Sequence, residues 1–205
     1  MLGLANRRRQ QIVESAVEVF AEHGYERTTV AMLSRRAGVG QGTVYRYFVN
    51  KRDLFDSVFD HATEQVFSSV DTAVLLDPID TVDEFVIRVN RLGEEMFTLL
   101  ASTTPYIKLV LVEAVAVDEE MTRRVGGVQQ LVMSMIATAL EHGKERGWVR
   151  REVDTDLVSV AMAALAVPGV LRGVRAGGEQ DRPAVAQGYG SGAVTLMARG
   201  VAVRK

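Results

Sequence analysis

The sequence predicts an all-α protein of about nine helices. Apolar residues recur at helical spacing along most of the chain, and the period-two alternation of strands is absent. Glycine, proline and capping residues separate the helical segments. The 205 residues allow a small N-terminal domain, residues 1–52, and a larger helical domain, residues 53–205.

The first predicted helix runs from about Arg8 to His23. Its apolar residues share one face and are expected to pack on the helices that follow. These residues are Ile12, Ala16, Val19 and Phe20. A basic run, Arg7, Arg8 and Arg9, precedes or opens the helix and is suited to a minor groove or to phosphates. A solvated run of charge without a DNA role is an equally good interpretation.

The next segment predicts a helix-turn-helix. Residues 30–37 have helical apolar spacing, and Gly38 can adopt the positive φ angle that ends a helix. Thr28 and Thr29 can cap the start of this helix through a side-chain oxygen. A second short helix, residues 41–47, follows the glycine turn.

The second helix of this motif is too short to be stable alone, so one face must pack against its neighbours. Val44 and Phe48 provide that apolar anchor. The other face offers hydrogen-bonding groups and aromatic rings suited to base edges, thymine methyls and phosphates. A polar helix that only faces water is the alternative. The predicted DNA-binding residues are Thr28, Thr29, Gln41, Gly42, Thr43, Tyr45, Arg46, Tyr47 and Lys51.

Residues 8–58 resemble the N-terminal domain of TetR-family transcriptional regulators. The matching residues are Ile12–Ala16, Phe20, Gly24–Tyr25, Thr28–Val30, Ala37–Val39, Gly42–Tyr45, Tyr47–Phe48, Asn50–Lys51 and Leu54. The resemblance implies that Tyr47 and Lys51 contact phosphates. Leu33-Ser34 stands where Ile-Ala is common in the family, and Gly40-Gln41 where Ser or Thr often precedes a basic residue. Gln41 is therefore expected to alter base preference, and the operator sequence stays open.

Charge is divided unequally between the two predicted domains. Residues 1–52 contain nine Lys or Arg against four Asp or Glu, whereas residues 53–205 contain fifteen against twenty-two. A basic N-terminal domain, residues 1–52, called the head below, is expected beside an acidic second domain when only the head contacts phosphates. The chain has no cysteine, which excludes disulfides and thiolate chemistry. Neither a secretory signal nor a membrane span is evident, so we expect a cytoplasmic protein.

The second domain reads as successive helices separated by turn residues. Thr81 and Glu84 have capping-box spacing, and Gly126-Gly127 could bend a long helix. Pro168 is expected to kink or end its helix, and Pro183 suits a first turn. The predicted helices are about Arg52–Val74, from Thr81 to near Thr104–Pro105, Tyr106–Val117, Asp118–Arg146, Asp154–Val174 and Asp181–Val203.

The last two predicted helices are unusually apolar and rich in small residues. Such helices cannot stay exposed, and small residues let two backbones approach closely, so we expect them to pack against a second copy. A loosely helical tail is the alternative, because each glycine weakens a helix. The TetR resemblance also implies a homodimer, which would read a palindromic operator. The predicted interface residues are Val160, Ala164, Leu171, Gly188, Gly192 and Leu196.

The resemblance further implies an effector pocket among the middle helices. Methionine and aromatic side chains there could form an adaptable apolar cavity, although ordinary core packing explains them as well. Glu113 lies within an apolar helical face and could select a cationic or hydrogen-bonding ligand, or make a structural hydrogen bond. The predicted ligand-binding residues are Met96, Phe97, Leu100, Tyr106, Val110, Glu113, Met133 and Trp148.

No metal, cofactor or catalytic site is predicted. The three histidines are scattered, and no nucleophile elbow, P-loop or dinucleotide fingerprint occurs. We expect a homodimeric repressor that binds double-stranded DNA and is released from its operator by an unidentified small molecule. A constitutive architectural DNA-binding dimer without an effector is the first alternative. An enzyme or carrier that uses the apolar cavity is the second.

Overall fold

The computed structural model describes residues 2–68, 71–102, 104–164, 192 and 195–203, and confirms the all-α prediction. Apart from an isolated bridge between Val149 and Ala202, the regular elements of these residues are helical. The helices are α1 (Leu2–His23), α2 (Val30–Arg36), α3 (Gln41–Tyr47), α4 (Lys51–Ser68), α5 (Val82–Ser102), α6 (Thr104–Lys108) and α7 (Glu119–Glu145). Residues 155–164 and 195–201 are helical as well. In this part of the chain no helix is long and apolar enough to cross a membrane.

The chain packs as two compact units. The first contains residues 1–68 and 103–125, and the second contains residues 69–102 and 126–205. Helix α4 therefore packs in the same unit as α1, although the predicted domain boundary precedes most of α4. That boundary concerns function rather than packing and stays a prediction.

The core of the first unit forms around aromatic side chains. Phe20 of α1 and Phe55 of α4 are fully buried and meet edge to face, with ring centroids 4.9 Å apart. Tyr25 meets Phe55 at 5.1 Å and stacks on Phe20 at 5.9 Å. Leu33 of α2 and Val44 of α3 are also buried. The helix-turn-helix is thus anchored by apolar packing.

The core of the second unit is centred on Trp148. Its indole is buried, packs at 5.5 Å from Phe85 and donates a 2.8 Å hydrogen bond from Nε1 to the Ile79 carbonyl. The backbone of Gly143 lies against the same indole, because a Cβ at that position would stand 2.6 Å from Trp148 Cζ2. A buried indole N–H needs such an acceptor, and here a loop carbonyl provides it.

The predicted cap of α5 is present with one difference. The hydroxyl of Thr81 accepts a 3.1 Å hydrogen bond from the Glu84 N–H. The Glu84 carboxylate accepts from the N–H of Asp80 at 3.0 Å, one residue earlier than a standard capping box would place it. This hydrogen bond, followed by the one from Arg88, lowers the pKa of Glu84.

Two helix boundaries differ from the sequence prediction, and a glycine pair that could have bent a helix does not interrupt it. Helix α1 starts at Leu2, so the basic run is helical. Helix α4 ends at Ser68, where a series of poor helix formers begins, and a 3₁₀ turn covers Thr72–Leu75. Helix α7 continues through Gly126-Gly127 without a break, although each glycine costs a helix up to about 1 kcal/mol relative to alanine.

The predicted helix from Tyr106 to Val117 is replaced by three short elements. Helix α6 covers Thr104–Lys108, a π-helical turn covers Leu109–Glu113, and a 3₁₀ turn covers Ala114–Ala116. Valine and alanine dominate the irregular part, and valine favours the α-helix less than alanine or leucine does. Asp118 then caps α7 by accepting from the Met121 N–H at 2.8 Å.

Candidate nucleic-acid interface

The start and the end of α2 are held by local hydrogen bonds. Thr29 is the N-cap, and its hydroxyl accepts from the Met32 N–H at 3.3 Å. At the other end Gly38 has a φ of +64°, and its N–H donates to the Arg35 carbonyl. The N–H of Val39 reaches the Ser34 carbonyl at 3.0 Å, which completes a Schellman motif. The turn that directs the chain into α3 is therefore specified by the glycine.

Helix α3 buries one side and exposes the other, as predicted. Val44 and the C-cap residue Phe48 are each 2% exposed. The polar side of the helix is open: Gln41, Gly42, Tyr45 and Arg46 are exposed, whereas Thr43 and Tyr47 are half-buried. This side carries amide, hydroxyl, guanidinium and aromatic groups, which are the groups that read base edges and contact phosphates.

Neither the backbone angle of Gly42 nor its packing in the folded protein requires a glycine. A Cβ at this position would meet no atom within 4 Å, and its φ is not positive. Glycine inside a helix costs up to about 1 kcal/mol relative to alanine. The absence of a side chain leaves the surface of α3 open to close approach from outside.

Thr28 and Thr29 occupy different environments. Thr28 is 1% exposed, and its hydroxyl donates to the Gly24 carbonyl at 2.7 Å. It closes the turn between α1 and α2, in which Gly24 has a φ of +78°. Thr29 is exposed at the N-terminus of α2. Their contacts with DNA stay predictions.

Lys51 opens α4 beside a well-capped turn. The Asn50 side chain accepts from the Asp53 N–H at 2.8 Å, and the Asp53 carboxylate accepts from the Val49 N–H at 2.8 Å. The ammonium of Lys51 lies 4.2 Å from the Tyr25 ring centroid and donates to the Tyr25 carbonyl at 2.9 Å. Burial raises the pKa of Tyr25, so its hydroxyl stays neutral at physiological pH.

An ion network that sequence reasoning missed follows Lys51. Arg52 bonds through Nε to Asp118 at 2.6 Å and pairs with Asp56 one turn further along α4. Arg124 of α7 pairs with Asp56 at 2.7 Å and also with Asp60. Asp118 holds the pKa of the Arg52 guanidinium above its usual value, and Arg52 lowers the pKa of Asp118. Of these contacts, the sequence indicates only Arg52–Asp56, because oppositely charged residues four positions apart on a helix are neighbours.

The three arginines of the basic run lie on α1 with different contacts. Arg7 and Arg8 bond within the helix, to the Gly3 carbonyl and to Gln11. Arg9 instead donates to Ser57 of α4. The run is a helical surface and not a flexible arm, and its contacts with DNA stay predictions.

The predicted effector residues fall in two units. Tyr106, Val110 and Glu113 belong to the first unit, and Met133 and Trp148 to the second. The side chains of Met96, Phe97 and Leu100 lie outside the described residues.

Tyr106 is half-buried, with its ring 5.7 Å from His61, and burial raises its pKa. Val110 is 4% exposed and Met133 is half-buried.

Glu113 has partners inside the protein. Its carboxylate lies 3.5 Å from the ammonium of Lys108, which also bonds to the Ala21 carbonyl near the end of α1. A Cβ added to Gly24 would stand 3.1 Å from Glu113 Oε2. Glu113 therefore makes a structural contact, which was one of the two roles that the sequence allowed. Its role in ligand binding stays a prediction.

The predicted interface residues that lie in the described regions are exposed. Val160 is 49% exposed and Leu196 is 76% exposed. Ala164 and Gly192 are exposed as well. Leu171 and Gly188 lie outside the described residues.

The fold and the surface of α3 define the class of protein, a helix-turn-helix DNA-binding protein. Residues 12–58 match the family described as bacterial regulatory proteins, tetR family, and residues 86–173 match the tetracyclin repressor-like C-terminal domain. A relative, the HTH-type transcriptional regulator LuxR of Vibrio harveyi, is 30% identical over 67% of this chain and 67% of its own length. The chain belongs to the TetR family of transcriptional regulators and not to a family of enzymes.

Solved structures agree with this fold. FadR of Bacillus subtilis, determined in complex with stearoyl-CoA, superposes with a TM-score of 0.71 at 22% identity, covering 94% of this chain and 98% of that one. AibR, determined in complex with isovaleryl coenzyme A and operator DNA, gives 0.68 at 16% identity, covering 88% and 95%. At these identities the likeness supports the fold alone.

Proposed function

We propose that this regulator is a homodimeric, sequence-specific repressor that a small molecule releases from a palindromic operator in the cytoplasm. One observation gives the main support for the DNA-binding role. Helix α3 buries Val44 and Phe48 while its opposite side, with Gln41, Gly42 and Tyr45, stays open. The Schellman turn and the capped start of α4 hold this helix at both ends.

Within the operator complex the candidate contact residues divide into two groups. Gln41, Thr43 and Tyr45 face base edges and thymine methyls in the major groove, where the first turn of a recognition helix lies. Tyr47 and Lys51 bind phosphates, which positions the head without selecting a sequence. Lys51 sits at the N-terminus of α4, where free N–H groups favour an anion.

A second copy covers the exposed apolar side of residues 155–164. Leu157 is 66% exposed, and it forms a stripe at helical spacing with Val160 and Ala164. Leu196, in the last helical segment that the structure describes, is 76% exposed. Two-fold pairing through these side chains would bury them and present two heads to two half-sites.

The effector has an apolar acyl group. FadR and AibR, two proteins of the same fold, bind stearoyl-CoA and isovaleryl-CoA. In this chain α7 carries an apolar stripe that is not fully buried: Leu131 is 50% exposed and Val132 is 39% exposed. Val128 and Met135 extend it by one turn in each direction. Apolar side chains of this kind provide a wall suited to an acyl chain.

The test is operator binding in the presence of candidate effectors. Isovaleryl-CoA and stearoyl-CoA are titrated into the protein–operator complex, with free coenzyme A as the control. Coupling of about 1–3 kcal/mol predicts operator affinity weaker by about 5–150-fold with an acyl-CoA and unchanged with coenzyme A. Binding of an acyl-CoA without a change in operator affinity would contradict ligand release. Equal affinity for operator and random DNA would instead favour the architectural alternative.

A further inference from the structure

We propose that Arg9 is a positioning residue of the recognition helix and does not bind phosphate. Its guanidinium fixes the C-terminal end of α3 against α1 and α4. The inference rests on the DNA-binding role of the head and assigns to one arginine of the basic run a function different from that of its neighbours.

The geometry of Arg9 joins three helices. From α1, its Nη2 donates a 2.6 Å hydrogen bond to the hydroxyl of Ser57 on α4. Its Cζ lies 5.0 Å from the ring centroid of Phe48, the C-cap residue of α3. The N–H of Phe48 donates to the Val44 carbonyl at 3.0 Å, which closes the last turn of α3. One side chain therefore covers the end of the recognition helix and attaches it to α4.

The other two arginines of the run do not reach α3 or α4 through any described hydrogen bond. Arg7 donates to the Gly3 carbonyl at 3.3 Å, and Arg8 donates to Gln11 at 3.0 Å, so both stay on α1. In the part of the chain that the structure describes, none of the three pairs with a carboxylate. The three arginines therefore do not differ in ion pairing. They differ in the direction of the side chain, since among the three it is Arg9 that reaches α3 and α4.

A guanidinium is suited to this position. Its planar group can lie on the face of an aromatic ring and at the same time donate from a rigid fork, whereas an ammonium is a flexible point charge. Lysine would retain the positive charge of Arg9 but not both contacts. A phosphate ligand, in contrast, tolerates that exchange better, because lysine also binds phosphates.

The salt dependence of operator binding separates positioning from phosphate contact. We expect Arg9→Gln to weaken operator binding about three- to tenfold at fixed salt. The slope of log K against log salt should stay as in the wild type, because removal of a phosphate ligand would reduce it by about 0.9. Arg9→Lys should lose as much affinity. Arg8→Gln removes the same charge one residue earlier, without the contacts to Phe48 and Ser57, and shows what loss of charge alone does to the affinity and to the slope. A reduced slope together with rescue by lysine would overturn the proposal.

The partner residue provides a second variant. Ser57→Ala removes the hydroxyl that accepts from Arg9, together with its 3.4 Å hydrogen bond to the Asp53 carbonyl. It should weaken operator binding, and the double variant with Arg9→Gln should lose little more than Arg9→Gln alone. Fully additive losses, or no effect of Ser57→Ala, would contradict the arrangement.

A third measurement needs no DNA. We expect the Phe48 amide to exchange its hydrogen several-fold faster in Arg9→Gln and at the wild-type rate in Arg8→Gln. Equal exchange in all three proteins would refute the role of Arg9 even if the wild type bound no operator. Absence of selective DNA binding by the wild type would refute the proposed function and not this contact.

Discussion

The Asp118 carboxylate accepts a 2.6 Å hydrogen bond from Nε of Arg52, the residue that follows Lys51 at the start of α4. The same carboxylate caps α7 by accepting from the Met121 N–H. Two helices that are distant in sequence thus share one side chain. Because Lys51 is a predicted phosphate ligand, this contact holds the protein surface that is expected to meet DNA.

Stability should depend on pH through Asp118. The Arg52 hydrogen bond lowers the folded-state pKa of Asp118, so its contribution is present above the unfolded pKa and is lost as pH falls through the folded value, below about pH 4. Asp118→Asn keeps the helix cap but loses the ion pair. We expect the difference in unfolding free energy between wild type and Asp118→Asn, measured by urea denaturation, to shrink from neutral pH to about pH 3.

Asp77→Asn is the control for the Asp118 experiment. The Asp77 side chain is exposed and takes no part in the ion pairs of the described residues, so its difference from wild type should vary less with pH. A difference for Asp118→Asn that stays constant, or that grows in acid, would be incompatible with a stabilising ion pair to Arg52.

Gly42→Ala should separate stability from DNA binding. The added methyl meets no protein atom within 4 Å and should stabilise α3 by up to about 1 kcal/mol. Operator binding should nevertheless weaken, since the methyl occupies the surface that approaches DNA. Thermal unfolding and fluorescence anisotropy measure the two effects. Gly127→Ala, in α7, should share the stabilisation and leave DNA binding unchanged, and unchanged operator affinity in Gly42→Ala would show that α3 does not approach DNA closely there.

Four single substitutions test the division between base and phosphate contacts. Lys51→Ala and Tyr47→Phe should weaken binding to all sequences alike. Gln41→Ala and Thr43→Ala should each cost about 1–3 kcal/mol on the operator and relax preference at particular bases. Anisotropy on the operator and on variants with single base changes measures both. Equal losses on operator and random DNA for all four proteins would refute this division.

Gly143→Ala should destabilise the second unit. The new Cβ would stand 2.6 Å from both Trp148 Cζ2 and Val149 Cγ2, so the indole must shift. Overpacking of this kind costs about 1–3 kcal/mol. Gly127→Ala changes the same residue type in the same helix without a contact and is the control. Equal midpoints of chemical unfolding for the two variants would show that Trp148 is not held against α7 as described.

Val160→Glu should prevent dimer formation. A carboxylate in the stripe that contains Leu157 would be buried without a partner on pairing. Sedimentation velocity should show a dimer for the wild type and a monomer for the variant. Ile87→Glu changes a residue of α5 that is 67% exposed and lies outside the predicted interface, so it should stay dimeric. A dimeric Val160→Glu protein would place the interface elsewhere.

Local sequence determined the helix-turn-helix well enough to be predicted. The bounds of α3 agree with the prediction, because Gly38, Gly40 and the buried pair Val44 and Phe48 act within a few residues. The exposed polar side of α3 followed from the same spacing. Whether each residue on it contacts DNA is not decided by folding.

Contacts between distant segments could not be predicted in this way. Arg52 and Asp118 are 66 positions apart, and Lys108 reaches a carbonyl of α1 across 87 positions. Charges at such separations meet only after the helices pack. The irregular turns between α6 and α7 were also missed, because valine lowers helix propensity only slightly, so the local sequence still favours a continuous α-helix.

The N-terminal domain around α3 is expected to bind an operator selectively. The most direct test is fluorescence anisotropy of the purified protein on DNA flanking its own gene, against scrambled DNA, at two salt concentrations, with Lys51→Ala as the control. We predict tight, sequence-selective binding that weakens with salt and with the substitution. A set of random sequences serves to select an operator if the flanking DNA does not contain one. Equal, weak binding to every sequence, including the selected ones, would contradict a sequence-specific role for α3.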